Sequence, residues 1–345
     1  MNRAARGANV AVVTVNYRNP DLTSRCLAAL RAEKERLPDL RVIVVEGGSD
    51  DGSAAVLGKT VDRAQYRDWM TFLPLTVNGG FGWANNQAIL TLAGSEAPPE
   101  YIHLLNPDTE VVAGAVAALA RELDAHPRCA AAGSQLLTQQ GERAASAFRF
   151  PSPGRELVSA ARSEVLRRML GIRSTVIDAS QSQDVDWVSG ASVMFRTAAL
   201  RETGLFDDGF FMYYEEVELM QRLHRAGWTI RFVAESRVVH VEGGSTGVSA
   251  ATVAKPLPKY WYQSRRRYFA LVNGRSGLWF ANICWAAGFA FASLKKLFGR
   301  RGSGSGARLK DMLQCGLWPK AKDCRKSVPA LGDPPGKPPA WLIDQ

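Results

Sequence analysis

VIVVEGGSDDGSAAV, running from Val42 to Val56, changes character at Glu46. Four β-branched residues before it make the apolar run of a buried strand. After it, a Gly-Gly-Ser-Asp-Asp-Gly loop opens onto small residues that begin a helix. A strand that ends on a carboxylate and passes through such a loop into a helix is one βα unit of a parallel sheet. The loop itself either holds a ligand or only turns the chain.

The same unit recurs on both sides. Asn9 to Asn16 is β-rich, and after Pro20 the residues Leu22, Cys26, Ala29 and Leu30 fall at helical spacing within Asp21 to Leu37. Phe72 to Thr76 precedes a helix starting near Trp83, and Tyr101 to Leu105 precedes one over Val112 to about Ala125. This alternation predicts an α/β fold with a Rossmann-like, mostly parallel, doubly wound sheet. Ligands of such sheets sit outside the carboxyl ends of the strands. That rule singles out the loops Glu46 to Asp51, Asn78 to Gly82 and Asn106 to Thr109.

From Phe150 to Gln183 the pattern is less regular and reads as a surface loop and helix. A strand pair is expected from Asp184 through VDWVSGASVMFR, then an amphipathic helix over Phe210 to Ala226. Short closing strands are expected at Thr229 to Val233 and Arg237 to Val241.

The 345 residues carry 46% apolar side chains and a formal charge of +10, enough to bury a large core. The basic charge is localised: Lys255 to Lys326 holds 16 Lys and Arg against 2 Asp and Glu, so the remainder is net negative. A basic segment without a recognisable binding fold argues against nucleic acid as the partner. Five cysteines in no metal or disulfide spacing fit a reducing cytoplasm, and the N-terminus reads as lacking a signal peptide.

Leu278 to Leu294, LWFANICWAAGFAFASL, is uncharged over 17 residues. Arg265, Arg266, Arg267 and Arg275 precede it, and Lys295, Lys296, Arg300 and Arg301 follow. A segment slightly short for a span and basic at both ends predicts a helix lying in or dipping into an anionic membrane surface. The alternative is a core helix packed on the domain. From Arg301 the Gly-Ser and Pro-rich sequence reads as a flexible tail, giving three regions: 1–273, 274–300 and 301–345.

Asn106, Pro107 and Asp108 follow a buried strand directly. A carboxylate there can bind a divalent cation that neutralises a diphosphate, or simply form an Asp-containing turn. Gly79, Gly80 and Gly82 let backbone approach a ligand, although a glycine-rich loop alone is weak evidence. Glu215, Glu216 and Glu218 crowd a helix start beside Phe211, Tyr213 and Tyr214. They read either as a solvated acidic first turn or as a desolvated pocket holding a general base. His240 ends a strand before a Gly-Gly-Ser-Thr turn and is either structural or a ligand.

Taken in order, VVTVNYRN, VVEGGSDDGS, NGGFGWANNQAI, LLNPDTEV, VSGASVMFR, GLFDDGFFMYYEEVEL and RAGWTIRFVAESRVVHVEGGS resemble successive motifs of the family 2 glycosyltransferases. The likeness runs from about Val10 to Asn273 and is greatest to the bacterial rhamnosyltransferase-like branch. It implies a GT-A fold and inverting transfer of one sugar, rhamnose, from a nucleoside diphosphate sugar to a lipid-linked saccharide acceptor in envelope or exopolysaccharide synthesis. It implies donor binding by Glu46, Ser49, Asn78, Gly80, Asn86, Asn106 and Asp108, with Glu46 facing the base. Mg²⁺ or Mn²⁺ would be held by Asp108, with His240 beside it. Glu216 would be the catalytic base, and Trp187, Gly190, Ala191 and Glu215 would border the acceptor. The expected location is the cytoplasmic face of the inner membrane, peripheral or monotopic.

Where the family usually has Asp, this chain has Glu46, Glu216 and Glu218, each one methylene longer. Gly47 replaces an Asn. These departures leave donor preference open and motivate a second reading, a catalytically weakened scaffold that binds nucleotide sugar.

Overall fold

The computed structural model describes residues 9–241, 257–297 and 309–343. The Gly-Gly-Ser-Thr turn after His240, Arg300 and Arg301, and the Gly-Ser run that follows lie outside the described residues.

The chain runs β1 (Val10–Asn16), α1 (Pro20–Ala29), α2 (Arg31–Arg36), β2 (Arg41–Glu46), α3 (Ser53–Val61), β3 (Met70–Pro74), α4 (Phe81–Ala93) and β4 (Tyr101–Leu105). It continues with β5 (Thr109–Val111), α5 (Ala115–Ala125), β6 (Cys129–Leu137), β7 (Ala147–Phe148), α6 (Pro153–Ala161), α7 (Glu164–Met169), β8 (Val176–Ile177) and β9 (Gln183–Val185). Then come β10 (Trp187–Val188), β11 (Ser192–Arg196), α8 (Thr197–Thr203), α9 (Glu215–Arg225), β12 (Thr229–His240) and α10 (Lys259–Leu297).

The main sheet has the order β3-β2-β1-β4-β11-β6-β12-β5, with β9 on β12. β3, β2, β1 and β4 are parallel, and β6 and β12 run parallel to each other. β11 is inserted antiparallel between β4 and β6, and β5 pairs antiparallel with β12. The register pairs Asn16 with Glu46 and Glu46 with Pro74, so the carboxyl ends of β1, β2 and β3 finish level. β1, β2 and β4 are apolar on both faces because helices cover both sides, as parallel strands require. One core holds α4, α8 and α9 residues against one face; the other holds α1, α3 and α5 residues against the opposite face.

Local details depart from the sequence reading for identifiable reasons. The helix expected over 21–37 is divided at Leu30. β6, CAAAGSQLL, is a buried central strand that periodicity did not reveal, since three alanines favour helix and carry no alternation. The two closing strands are one strand, β12, with an irregularity between Val233 and Arg237. Glu33, fully buried, reaches the start of α5 and accepts hydrogen bonds from the backbone N–H groups of Gly114, Val116 at 3.1 Å and Ala117 at 3.2 Å. A carboxylate supplied from another helix thus satisfies the unpaired donors of a helix N-terminus.

α10 bends at Gly274, whose φ of 71° is left-handed. Its first half belongs to the domain. Arg265, Arg266 and Arg267 are buried there and paired with Glu156 at 2.7 Å, Asp323 at 2.6 Å and Asp207 at 2.6 Å. These three arginines therefore do not flank a membrane helix, as the sequence suggested; their charges are neutralised inside the protein. The second half packs α6 along one side and leaves Phe280, Ile283 and Leu294 more than half exposed. It is the one helix among the described residues long and apolar enough to cross a membrane.

Residues 309–343, expected as part of a flexible tail, return across the domain. Asp323 receives Arg266, Trp83 Nε1 donates to the Lys337 carbonyl at 2.8 Å, and Trp341 Nε1 donates to the Gly79 carbonyl at 2.9 Å. Proline-rich sequence needs no periodicity to pack when its backbone and tryptophans find such partners.

Candidate active site

The site forms at the carboxyl edge of the sheet. Asn16, at the end of β1, lies beside Glu46 at the end of β2 because the register sets them opposite each other. Asn16 Nδ2 donates to Glu46 Oε2 at 2.5 Å, and the Ser49 backbone N–H donates to Glu46 Oε1 at 2.8 Å. Ser49 Oγ in turn accepts from the Arg18 backbone N–H at 2.9 Å. Glu46 and Ser49 are both buried, so the first role of this carboxylate is to close its own loop. Gly48, with φ of 72°, presses on the Val77 and Asn78 backbone, where a Cβ would meet the Val77 carbonyl carbon at 2.7 Å. That contact joins the loop after β2 to the loop after β3.

In the second loop Asn78 Oδ1 accepts from the Gly80 backbone N–H at 3.1 Å. Gly80 has φ of 87°, and a Cβ there would stand 1.9 Å from the Phe211 carbonyl oxygen, which also accepts from Phe81 N–H at 3.2 Å. Only glycine permits that approach, which brings the segment preceding α9 against this loop. Asn86 faces inward. Its amide is fully buried, donating to the Phe206 carbonyl and Asp208 and accepting from Phe206 N–H. Asn86 thus braces the 206–208 turn, and its hydrogen-bonding groups are occupied there.

Asp108 lies in the turn between β4 and β5, and His240 ends β12. β5 and β12 pair with His240 opposite Thr109, so Asp108 is brought to His240 by sheet register. Asp108 Oδ2 and His240 Nε2 are 3.0 Å apart, and both side chains are buried. A carboxylate oxygen and an imidazole nitrogen so placed are the donor types that would hold one Mg²⁺ or Mn²⁺. Among the described residues no third His, Cys, Asp or Glu joins this pair to form a metal-holding group, so further ligands would come from diphosphate and water oxygens.

Asn106 connects this pair to the 187–191 segment. Its backbone N–H donates to the Ala191 carbonyl at 2.9 Å, and its carbonyl accepts from Thr109 Oγ1 at 2.7 Å. In the same 187–191 segment, Gly190 abuts Glu216: a Cβ there would sit 3.8 Å from Glu216 Oε1. Trp187 fixes the segment by stacking on Phe148 at 4.3 Å and donating from Nε1 to the Arg149 carbonyl at 3.1 Å.

Glu215 and Glu216 open α9. Glu215 is buried and Glu216, which follows it, is largely buried; Oε2 of each is enclosed without a hydrogen-bond partner. Burial pushes both carboxyls above the ordinary range, and the neighbouring Glu216 charge raises Glu215 further. This is the desolvated alternative of the sequence reading. Glu218 is occupied instead in a buried ion pair with Arg222 at 2.8 Å.

The residues that aim the pair are the preceding ones. Tyr213 and Tyr214 both have φ of 69°, a left-handed conformation that costs roughly 1–3 kcal/mol per residue. Tyr213 stacks on Tyr260 of α10, and Tyr214 packs against Trp261 and Tyr268. α10 thus holds the strained turn that delivers the glutamates. The only sequence trace of this device was the density of aromatics before the acidic pair.

Several known proteins resemble this chain as a whole. An N-acetylglucosaminyl-diphospho-decaprenol L-rhamnosyltransferase of Mycobacterium tuberculosis is 29% identical over 283 residues, covering 79% of this chain and 87% of its own. Rhamnosyltransferase WbbL of Escherichia coli is 33% identical over 75 residues, covering 21% of this chain and 28% of its own. Among solved structures, mannosyltransferase PcManGT from Pyrobaculum calidifontis, in complex with GDP-Man and Mn²⁺, matches with TM-score 0.53 and 14% identity, over 90% of this chain and 81% of that one. GalNAc-T7 with UDP, GalNAc and Mn²⁺ matches with TM-score 0.54 and 13% identity, over 90% of this chain and 55% of that one. The structural likenesses establish the expected GT-A-like fold. Residues 7–270 match the family described as Glycosyltransferase like family 2. That span contains the sheet, the Asp108–His240 pair and Glu216, and the chain belongs to this glycosyltransferase family.

Proposed function

We propose that the protein transfers a rhamnosyl group, with inversion, from a nucleoside diphosphate sugar to a saccharide carried on a lipid diphosphate. The observation that carries this reading is the short path from Asp108 through Asn106 and Ala191 to Gly190 and Glu216. It brings the Asp108–His240 pair and a glutamate whose Oε2 is enclosed without a hydrogen-bond partner next to one segment. Glu216 would accept the proton of the acceptor hydroxyl as that oxygen attacks the anomeric carbon, and its raised proton affinity suits that task. Asp108 and His240 would hold Mg²⁺ or Mn²⁺, which supplies stabilisation of charge on the departing diphosphate. Two relatives named as rhamnosyltransferases, one acting on N-acetylglucosaminyl-diphospho-decaprenol, support the sugar and the acceptor class.

We place the protein at the membrane's cytoplasmic face; the second half of α10 supports membrane attachment itself. Its apolar side is exposed, while α6, which carries Arg155 and Glu156, packs against its middle at Gly288. A helix accompanied by charged neighbours at mid-length suits an interfacial position better than a span.

The test is a thermal-shift panel of uridine, thymidine and guanosine diphosphate sugars with and without Mn²⁺, followed by transfer to a short-chain prenyl-diphospho-N-acetylglucosamine. Metal-dependent stabilisation by one donor and transfer of its sugar are expected. Binding without transfer would favour the scaffold reading, for which the internally engaged Glu46 is the supporting observation.

A further inference from the structure

A cavity of about 730 Å³ lies between the first half of α10, residues 208–211 and the returning C-terminal segment. Its size is ordinary for a ligand site, and its charge is not balanced. Seven Lys and Arg line it against three Asp. Arg266 is paired with Asp323 and Arg267 with Asp207, and the returning segment adds Lys320, Lys322, Arg325, Lys326 and Lys337 against the two remaining carboxylates, Asp208 and Asp333. Arg267 Nε remains buried without a hydrogen-bond partner. Such a lining selects an anion with several acceptor oxygens.

Two neighbourhoods adjoin this lining. Lys320 comes two residues after Trp318, whose ring meets Trp279 of α10 edge-on at 5.1 Å. Trp318 is 67% exposed, and it opens onto the apolar face that carries Phe280 and Ile283. Exposed tryptophans beside an apolar helix face mark headgroup depth. Tyr260 and Trp341 also line the cavity, and each packs edge-on against Phe211 at 5.4 and 5.0 Å. Phe211 is the residue whose carbonyl meets Gly80 and Phe81 at the donor-side loop. The basic lining is therefore linked through Trp318 and Trp279 to the apolar helix, and through Phe211 to the loop after β3.

We propose that this cavity binds the diphosphate of the lipid carrier, with the prenyl chain leaving over Trp318 and Trp279 onto the apolar face of α10. The assignment rests on the reading of the acceptor as lipid-linked. A polyisoprenyl diphosphate has both parts the site offers, an acceptor-rich dianionic group and an apolar tail. Free inorganic diphosphate shares only the first, so the two sources are separable by experiment. The C-terminal segment acquires a role here: it supplies most of the cations and lines the cavity with Trp341.

Isothermal titration calorimetry of the full chain against farnesyl diphosphate, inorganic diphosphate and farnesol tests the proposal. The same titrations are made on the triple variant Lys320→Gln, Arg325→Gln, Lys326→Gln. All three side chains are exposed, so the variant is expected to fold, which its melting temperature and its affinity for nucleoside diphosphate with Mn²⁺ verify. Farnesyl diphosphate should bind the wild-type chain at least tenfold more tightly than either fragment, and the variant should lose at least tenfold of that affinity while keeping nucleotide affinity. Equal affinity of the two proteins for farnesyl diphosphate overturns the assignment. So does inorganic diphosphate binding as tightly as the prenyl compound, which would make the cavity a site for free anions. If the variant loses prenyl diphosphate while the wild-type chain transfers no sugar, the transferase reading fails and the cavity assignment stands. If the variant keeps the wild-type KM for the lipid acceptor, the cavity assignment fails and the transferase reading stands.

Discussion

Asp108 Oδ2 and His240 Nε2 stand 3.0 Å apart at the carboxyl edge of the sheet, brought together by the antiparallel register of β5 and β12. Two buried donors from distant parts of the chain, meeting where a diphosphate is expected, make a metal-dependent donor site testable residue by residue. Asp108→Ala should abolish the Mn²⁺-dependent part of nucleoside diphosphate binding and lower kcat/KM about 100-fold or more, ~2.7 kcal/mol of transition-state stabilisation. His240→Ala should raise the Mn²⁺ concentration needed for half-maximal binding with a smaller loss. Calorimetric titration of the nucleotide at fixed Mn²⁺ reads both effects; wild-type metal dependence in Asp108→Ala would remove this pair from the mechanism.

Glu216 is expected to act on the acceptor alone. Glu216→Gln keeps the shape of the side chain and its contact with Gly190, so donor affinity should stay within about twofold while kcat falls by about 10² to 10⁴. Burial raises the Glu216 carboxyl above its ordinary 4.5, so the acid limb of the wild-type rate profile should lie above that pH and rise as the carboxylate forms. Retention of wild-type kcat in Glu216→Gln would place the base elsewhere.

The parts of this arrangement that were legible in the sequence are those fixed by continuous apolar runs. β1, β2 and β4 are buried on both faces, and the polar residues that end them, Glu46 and Asn106, mark the site edge. β6 was hidden because its alanines bury well in a crowded sheet centre yet carry no strand signal. The left-handed Tyr213 and Tyr214 were equally hidden, because tyrosine does not favour that conformation and tertiary packing on α10 imposes it. Arg265 to Arg267 looked like a membrane flank because a charge in sequence does not reveal its partner. Glu156, Asp207 and Asp323 come from three separate segments.

Glu33 provides a stability test independent of catalysis. Its carboxylate meets three backbone N–H groups at the start of α5 and is fully buried. Glu33→Ala leaves those donors enclosed without a partner, each at about 1–3 kcal/mol when desolvated. Partial access of water lowers the total, and a loss of about 3 kcal/mol in the free energy of unfolding is expected. Urea denaturation should show the midpoint falling with little change in slope. A change below about 0.5 kcal/mol would mean that α5 does not need this cap.

Asp208 makes stability depend on pH in a direction opposite to a salt-bridged carboxylate. Burial pushes its carboxyl up to about 7 from an ordinary 3.8, with the hydrogen bond from Asn86 acting against the rise and Asp207 adding to it. The folded chain therefore holds the proton more tightly than the unfolded chain. The associated stabilisation is fully present below about pH 4 and is lost as pH rises through about 7. Asp208→Asn keeps an acceptor oxygen for Asn86 Nδ2 and removes the titration. The variant should match the wild type near pH 4 to 5 and exceed it at pH 8, with an upper limit of about 4 kcal/mol that solvent access and Lys337 reduce. Melting temperatures at pH 5 and pH 8 decide the point. A variant whose melting temperature falls as steeply as that of the wild type would show that another group carries the dependence, because no other change separates the two proteins at this position.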